Sequence, residues 1–396
     1  MDVMTPDEVL ALARRHPLYA GRELGARFDD VPVLDKTALD SALRAFYADP
    51  ANLRGLYLSP SGGSSAQSYL CFPVGIEDNN EQRRWFARML ADAGVIPADA
   101  IALNLFAGRL MYRSMEIFTD YCEQLGATSL PVESTATDNA AVDIARAFHA
   151  NMIIGEPGRI AQLARYLQDS NQRLPMQRIL AAGEAVRPAQ RKLFADVFET
   201  ELLVSAYGSA ETGVWAYRGA DDGPDVFHYD PRMLHIEIVD ADEHGVGAMV
   251  VTNLLRRRVP VLRYRMGDRA RWIARGETRA TFQFVGRESG SFTLDGSYFN
   301  LPAVSPVFDD VTDYQLHLSN DAQSLRDRLE IRVVPPANWD EERQRMLESR
   351  VGEIFGAGGG DFMLSIRTMK SEELERTPTS RKVRRIVDTR DTSSGA

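Results

Sequence analysis

The sequence predicts an α/β protein: a large N-terminal domain with mainly parallel βαβ sheets and an antiparallel, barrel-like segment, then a small α+β domain. Two observations carry this prediction. Between residues 81 and 206, helical patterns of ten or more residues alternate with short apolar stretches, which is typical of stacked βαβ units. After about residue 230, stretches of alternating polarity flank Gly-containing turns, which indicates antiparallel strands.

The elements follow in chain order. Thr5-Pro6-Asp7 predicts a helix start, because proline suits the first helical position. The remaining helices of the large domain are predicted over residues 81–94, 113–126, 138–150, 157–168 and 188–199. Its parallel strands are predicted over residues 101–106, 128–132, 152–154, 178–182 and 202–206.

The second half of the chain has a different pattern. Its antiparallel strands are predicted over residues 235–239, 249–252, 271–273 and 281–285. The small domain is predicted to hold strands over 314–318, 329–334 and 362–366 and a charged helix over 339–355. We therefore predict an N-terminal domain over residues 1–285 and a C-terminal domain over residues 286–396.

Composition limits the classes of partner. The chain has 396 residues, with 46 Lys and Arg against 56 Asp and Glu, so its net charge is −10. An acidic chain of this kind is not expected to bind nucleic acid or an anionic membrane. No apolar run is long enough to span a bilayer, and no signal peptide is recognisable. The two cysteines, Cys71 and Cys122, form no CxxC pair, so a cytoplasmic protein without a zinc ribbon or disulfide framework is expected.

Five segments carry residue types that suit a nucleotide site. The first is a Ser/Gly cluster whose N–H groups and hydroxyls can hold an anion, although it lacks the lysine of a Walker loop: Ser61, Gly62, Gly63, Ser64 and Ser65. In the second, residues 206–213, Tyr207 can stack on a base and Glu211 can ligate Mg²⁺. In the third, residues 260–268, Asp268 can accept hydrogen bonds from ribose hydroxyls. The fourth and fifth are residues 284–287 and the basic stretch 377–385.

Each segment taken alone also fits a purely structural role, such as a loop, a core tyrosine, an Asx-turn or a solvated basic tail. Together, their order and spacing resemble the adenylate-forming superfamily of acyl-CoA synthetases, nonribosomal adenylation domains and luciferases. SPSGGSS resembles the phosphate loop of this superfamily, and GRESG resembles its hinge motif. AYGSAETG and RYRMGD resemble two of its nucleotide-binding motifs. TPTSRKVRR resembles the C-terminal motif that carries the catalytic lysine. AAGEAVRPAQRKLFADVF and VPVLRYRMGD are similar to the phenylacetate-CoA ligase branch. The compact chain is also similar to acyl-protein synthetases of bioluminescence and to phenazine-antibiotic adenylating proteins.

The resemblance implies a two-step reaction. A carboxylate attacks the α-phosphorus of ATP, giving an acyl-adenylate and pyrophosphate, and a thiol, amine or hydroxyl then displaces AMP. By the same resemblance, Lys382 contacts the reacting oxygens and Glu211 acts beside it as the Mg²⁺ ligand. The implied ATP-binding residues are Ser61, Gly62, Gly63, Ser64, Ser65, Gly183, Glu184, Ala185, Tyr207, Gly208, Asp268 and Arg287. The small domain is expected to rotate as a lid about residues 287–290.

The resemblance also places a pocket for the acid between the parallel and antiparallel regions. Its implied wall residues, each of which also fits plain core packing, are Phe106, Met111, Tyr112, Ala181, Ala206, Val214 and Trp215. An aromatic and apolar lining suits an aryl or fatty acid. The leading hypothesis is therefore an ATP- and Mg²⁺-dependent ligase that joins an aryl acid to CoA.

Two other hypotheses stay open. In the first, the acyl group passes to an amine, an amino acid or a carrier-protein thiol, as in antibiotic and other secondary-metabolite biosynthesis. The short chain and the departures from the family motifs favour it: the phosphate loop lacks its second glycine and its lysine, and Arg381 precedes the catalytic lysine. The second is a non-catalytic nucleotide-binding homologue. The presence of four motif residues argues against it, namely Glu211, Asp268, Arg287 and Lys382. A homodimer is the commonest oligomer for such a chain.

Overall fold

The computed structural model describes residues 3–60, 71–108, 111–183, 186, 188–200, 202–223, 225–288, 290–294, 297–320, 327–356, 362–378 and 381–390. The helices of this part of the chain are α1 (Pro6–Ala13), α2 (Lys36–Tyr47), α3 (Ile76–Asp92), α4 (Ser114–Gln124), α5 (Asp138–Ala147), α6 (Pro157–Asp169), α7 (Pro188–Phe198), α8 (Leu301–Val304) and α9 (Glu341–Gly356). None of them has both the length and the apolar character needed to cross a membrane.

A short antiparallel hairpin, β1 (Leu56–Pro60) and β2 (Cys71–Gly75), precedes a large mixed sheet. The parallel half of that sheet contains β3 (Ile101–Asn104), β4 (Thr128–Pro131), β5 (Met152–Gly155), β6 (Arg178–Ala182) and β7 (Leu203–Ser209). These five strands lie in the order β4-β3-β5-β6-β7, and every pairing among them is parallel.

The antiparallel half continues the same sheet from β7. It contains β8 (Gly213–Arg218), β9 (Val226–Tyr229), β10 (Leu234–Val239), β11 (Gly247–Asn253), β12 (Tyr264–Ala274) and β13 (Ala280–Arg287). Their order outward from β7 is β8-β9-β13-β12-β11-β10. Together with the five parallel strands, these six strands form one eleven-stranded sheet. The predicted parallel and antiparallel regions are therefore confirmed as two halves of a continuous sheet.

Burial on both faces explains why the parallel strands are apolar throughout. Ile153 and Ile179 pack in the core under α5–α7, whereas their neighbours Ile154 and Leu180 pack in the core on the opposite face. Successive residues of a strand point to opposite faces, so a strand covered on both sides has no polar face to show. The helix starts follow local rules as well, since Thr5 and Glu8 form a reciprocal capping box at α1.

The small domain is a separate unit with its own core. It contains the hairpin β14 (Ser291–Leu294) and β15 (Ser297–Asn300) and a four-stranded sheet of β16 (Asp313–Asn320), β17 (Asp327–Val334), β18 (Met363–Thr368) and β19 (Ile386–Asp388). Helix α9 packs Leu347 and Phe355 onto this sheet. The sequence prediction of an α/β fold with a smaller second sheet domain is confirmed.

Contacts from α6 join the small domain to the large sheet. The guanidinium of Arg165 donates hydrogen bonds to the hydroxyl of Thr312 and to the carbonyl oxygen of Pro335. Burial of this side chain lowers the pKa of Arg165. The small domain thus lies against the same helix whose first turn borders the carboxyl ends of the parallel strands.

Candidate active site

Three neighbouring parallel strands bring residues with functional chemistry to one edge of the large sheet. Glu156 directly follows β5, Gly183 directly follows β6, and Tyr207 lies near the end of β7. Because β5, β6 and β7 are adjacent and parallel, these three positions share the carboxyl edge. Open α/β sheets bind their ligands at this edge, so the predicted nucleotide site is expected here.

Tyr207 and Asp268, 61 positions apart in the chain, meet at this edge. The hydroxyl of Tyr207 donates a hydrogen bond to Oδ2 of Asp268, which is only 3% exposed. The Tyr207 ring packs among the aromatic side chains of the antiparallel half, with the Trp215 ring centroid 5.2 Å away. The structure thus fixes the tyrosine through its ring and the aspartate through the tyrosine.

A local irregularity of β12 sets the direction of Asp268. An Asx-turn was the structural alternative for Asp268, but this residue lies inside the strand β12. The register between β11 and β12 shifts between Ala248 and Val250, and Gly267 opposite this shift has a φ of +78°. A bulge of this kind re-aims the side chains next to it. On the other side, the backbone of Arg287 pairs with that of Asp268, so these two predicted ATP-binding positions are register neighbours.

Glu211 lies in the tight turn between β7 and β8, and a buried polar network holds that turn. Gln82 donates a 2.6 Å hydrogen bond to the carbonyl oxygen of Thr212, and Arg256 donates one to the carbonyl oxygen of Glu211. Burial lowers the pKa of Arg256 to about 10. Gly213 has a φ of +75°, and a Cβ there would lie 2.6 Å from Nε2 of Gln82, so only glycine fits. Gln82 and Arg256 come from distant segments, and no motif in the sequence marks them as part of this network.

Glu211 fits a magnesium ion that is held mainly by phosphate. Mg²⁺ in nucleotide sites is usually bound by one or two carboxylates together with phosphate oxygens. Nowhere in the described part of the chain do three or more acidic, histidine or cysteine side chains gather into a metal cage. A single carboxylate at 211 is therefore compatible with an ion that arrives with ATP.

Lys382 crosses from the small domain to the edge of the large sheet. Its Nζ donates a 2.8 Å hydrogen bond to the carbonyl oxygen of Gly183. Gly183 has a φ of +92°, and a Cβ at this position would lie 2.9 Å from both Cε and Nζ of Lys382. The glycine thus makes room for the lysine. The structure brings together Gly183 and Lys382, which the sequence analysis assigned to one site on different domains.

Glu156 is a residue of this site that the sequence analysis missed. It is only 2% exposed, and the hydroxyl of Tyr112 donates a 3.4 Å hydrogen bond to its Oε1. Burial, the largest effect, raises the pKa of Tyr112, the charge of Glu156 raises it further, and the charge of Lys382 lowers it. The one sequence signal for Glu156 was its position, directly after the buried strand β5 and before the first turn of α6.

The predicted pocket residues do not share one environment. Phe106 stacks on Phe118 with ring centroids 4.5 Å apart, and it shares one core with Ala206 and Trp215. Ala181 lies in the core on the opposite face of the sheet, so the structure does not bring it together with the others. Alternation along β6 explains this separation, because the next residue, Ala182, points to the first face.

The remaining predicted positions lie around or outside this region. Met111 is 46% exposed, Tyr112 contacts Glu156, Val214 packs partly buried against the first core, and Gly208 lies in β7 beside β8. Several predicted nucleotide-binding positions lie outside the described residues, namely Ser61, Gly62, Gly63, Ser64, Ser65, Glu184 and Ala185. Only the backbone of Arg287 is described.

No protein-family model matches the chain. The indoleacetate–lysine synthetase of Pseudomonas savastanoi is 21% identical over 332 residues, which cover 82% of this chain and 80% of that relative. Among solved structures, 2-hydroxyisobutyryl-CoA ligase in its postadenylation state with 2-HIB-AMP has a TM-score of 0.73 and 17% identity, covering 97% of this chain and 88% of its own. McyG A-PCP with phenylalanyl-adenylate has a TM-score of 0.53 and 13% identity, covering 83% and 64% of the two chains.

The same 2-hydroxyisobutyryl-CoA ligase in its thioesterification state, with 2-HIB-AMP and CoA, gives a TM-score of 0.59 at 18% identity, covering 98% of this chain and 88% of its own. The predicted resemblance to adenylate-forming enzymes is confirmed, and the chain has their fold.

Proposed function

We propose that this chain, which has the fold of the adenylate-forming ligases, activates a carboxylic acid with ATP and transfers the acyl group to a thiol or an amine. It is an AMP-forming ligase. In the first step the carboxylate displaces pyrophosphate from ATP and forms an acyl-adenylate. In the second step the acceptor displaces AMP. This reaction needs strong stabilisation of charge on the phosphate and little covalent help from the protein.

The observation that carries the proposal is the hydrogen bond from Lys382 to the carbonyl oxygen of Gly183. It brings a cation from the small domain to the carboxyl edge where Tyr207 and Asp268 meet. A lysine that enters a site from a second domain can be withdrawn when that domain moves, and this would separate the two steps. The higher TM-score of the postadenylation state supports the same arrangement.

The residues then take the following roles. Asp268, held by Tyr207, binds the ribose hydroxyls, and Arg287 assists from the neighbouring strand. Glu211 holds Mg²⁺, which supplies charge neutralisation at the phosphates when it is bound. The Ser/Gly segment 61–65 and the segment 183–185 complete the nucleotide site. Residues 1–285 bind ATP and the acid, and residues 286–396 form the lid that carries Lys382.

The acid is an aryl acid in this proposal, because the predicted pocket is rich in aromatic and apolar side chains. The name of the Pseudomonas savastanoi relative joins indoleacetate, an aryl acid, to lysine, an amine. The name of the structural neighbour specifies CoA, a thiol. Indole-3-acetate, L-lysine and CoA are therefore the first probes to use. A role in antibiotic biosynthesis stays a prediction.

The test is pyrophosphate release from Mg-ATP over a panel of aryl, heteroaryl and fatty acids that includes indole-3-acetate. Each acid is run alone, with CoA and with L-lysine, and a reaction without acid is the control. We expect release that depends on one class of acid and rises with one acceptor. If ATP binds but no acid produces pyrophosphate, the proposal is contradicted and a non-catalytic nucleotide-binding role is favoured.

A further inference from the structure

Glu156 places a buried carboxylate at the reaction centre, where the proposed first step has no use for it. It follows β5, next to the end of β6, and is only 2% exposed. A side chain on Gly183 would begin 2.9 Å from Nζ of Lys382 and 3.7 Å from Cγ of Glu156. The proposed catalytic cation and this carboxylate therefore flank the same point of the backbone.

Burying a carboxylate is unfavourable unless hydrogen bonds and positive charge compensate it. The hydroxyl of Tyr112 supplies one hydrogen bond. The opposite charges of Glu156 and Lys382 shift the pKa of that hydroxyl in opposite directions, upward and downward respectively. Lys382 belongs to the small domain and Glu156 to the large sheet. Any movement of the small domain that withdraws the lysine removes positive charge from around Glu156.

Both substrates of the first step are anions. The negative charge of Glu156 does not favour the binding of ATP or of a carboxylate, because like charges repel strongly in a site shielded from water. A thiol acceptor carries no positive charge either. An amine acceptor is different, since it arrives as an ammonium ion, which a buried carboxylate binds well.

We propose that Glu156 binds the ammonium group of an amine acceptor and then accepts its proton, so that the second product is an amide. This inference rests on the proposed function and names the acceptor class within it. Glu156 takes one proton from the ammonium ion and frees the nitrogen lone pair. The nitrogen attacks the acyl carbon, the bond from that carbon to the phosphate oxygen breaks, and its electron pair leaves with AMP. The second nitrogen proton passes to the leaving phosphate, and Glu156 later returns its own proton to water.

The test compares two nucleophiles on one enzyme. L-Lysine is a protonated amine at neutral pH, whereas hydroxylamine is uncharged and traps acyl-adenylates without needing a base. Glu156→Gln keeps the size of the side chain and removes its charge. We expect this variant to retain acid-dependent ATP–pyrophosphate exchange and transfer to hydroxylamine, while the ratio of lysine transfer to hydroxylamine transfer falls by about 10²-fold or more.

The ratio does not depend on how much of the variant is folded, so a loss of folded protein cannot imitate the expected result. Glu156→Asp, which keeps the charge, should retain part of the ratio. Glu116→Gln, on the half-exposed Glu116 of α4, should leave it unchanged. An unchanged ratio in Glu156→Gln, or transfer to CoA but not to lysine in the unaltered protein, would overturn the inference alone. An unaltered protein without any acid-dependent exchange would overturn the proposed function together with it.

Discussion

Replacing Gly183 with alanine tests whether the position of Lys382 controls adenylation. Gly183 has a φ of +92°, and its new Cβ would lie 2.9 Å from Nζ of Lys382. Ordinary van der Waals contact begins at 3.4 Å and extends to 4 Å. The ammonium group must therefore retreat by about 0.5 to 1 Å, and a misplacement of about 1 Å in a reacting group can lower the rate by roughly 10²-fold.

We expect ATP–pyrophosphate exchange at saturating ATP to fall by about 10²-fold in Gly183→Ala, which corresponds to about 2.7 kcal/mol of activation free energy. The backbone strain of an L-residue at positive φ adds a separate loss of folding stability of about 1–2 kcal/mol. Because Lys382 has a flexible side chain, the fold itself can accommodate the new methyl group. The loss of rate should then exceed what the loss of stability explains.

Gly126→Ala is the matched control. Gly126 follows α4 with a φ of +75°, and a Cβ there would meet nothing within 4 Å. Gly126→Ala should lose a similar amount of unfolding free energy through backbone strain, while its rate of ATP–pyrophosphate exchange per folded molecule stays normal. We expect the exchange rate of Gly183→Ala to be about 10²-fold lower than that of Gly126→Ala. If the two rates differ by less than about threefold, which is far below that expectation, then Lys382 does not act from the position that the structure shows.

Two further predictions concern other parts of the fold. Tyr207→Phe should lower the free energy of unfolding by about 1.5–3 kcal/mol, because it removes a hydrogen bond to the buried carboxylate of Asp268, and it should weaken ATP binding. Tyr217→Phe, whose hydroxyl has no hydrogen bond within the described residues, is its control; equal losses in a denaturant titration would contradict the first expectation. Burial, the largest effect, lowers the pKa of His16 below its usual 6.5, and its neutral Nδ1 accepts a hydrogen bond from the backbone N–H of Leu18. The unfolded chain therefore binds more protons as the pH falls below about 6.5, so stability should decline there, and less steeply in His16→Gln; identical pH profiles for the two proteins would refute this.

The sequence was sufficient where local pattern and burial agree. The strand predicted over residues 178–182 is β6 with the same bounds, because a strand buried on both faces is a short apolar run in the sequence as well. The helix predicted over 157–168 is α6, whose proline at the first position is a local signal. Helix α3 starts at Ile76, whereas the prediction started at residue 81. The start was predicted too late because the first turn is polar and shows no helical spacing of apolar residues.

The sequence was insufficient where partners come from distant segments. Strands β8 and β9 were missed because β8 has four successive buried residues instead of alternation, and β9, which alternates, has only four residues. The hydrogen bond between Tyr207 and Asp268 depends on a bulge in β12, which no local sequence pattern predicts. Glu156 was missed because Glu-Pro at a helix start is ordinary. Its burial, its hydrogen bond from Tyr112 and the approach of Lys382 to Gly183 distinguish this glutamate from a surface residue.

The most direct test of the central claim is ATP–pyrophosphate exchange, with the activating acid, in the unaltered protein and in Lys382→Ala. Lys192→Ala is the matched control, because this lysine is 70% exposed on α7. We expect Lys382→Ala to lose exchange while keeping its fold by circular dichroism, and Lys192→Ala to keep both. Exchange retained by a folded Lys382→Ala variant would contradict the claim that this chain adenylates acids with a lysine delivered by its small domain.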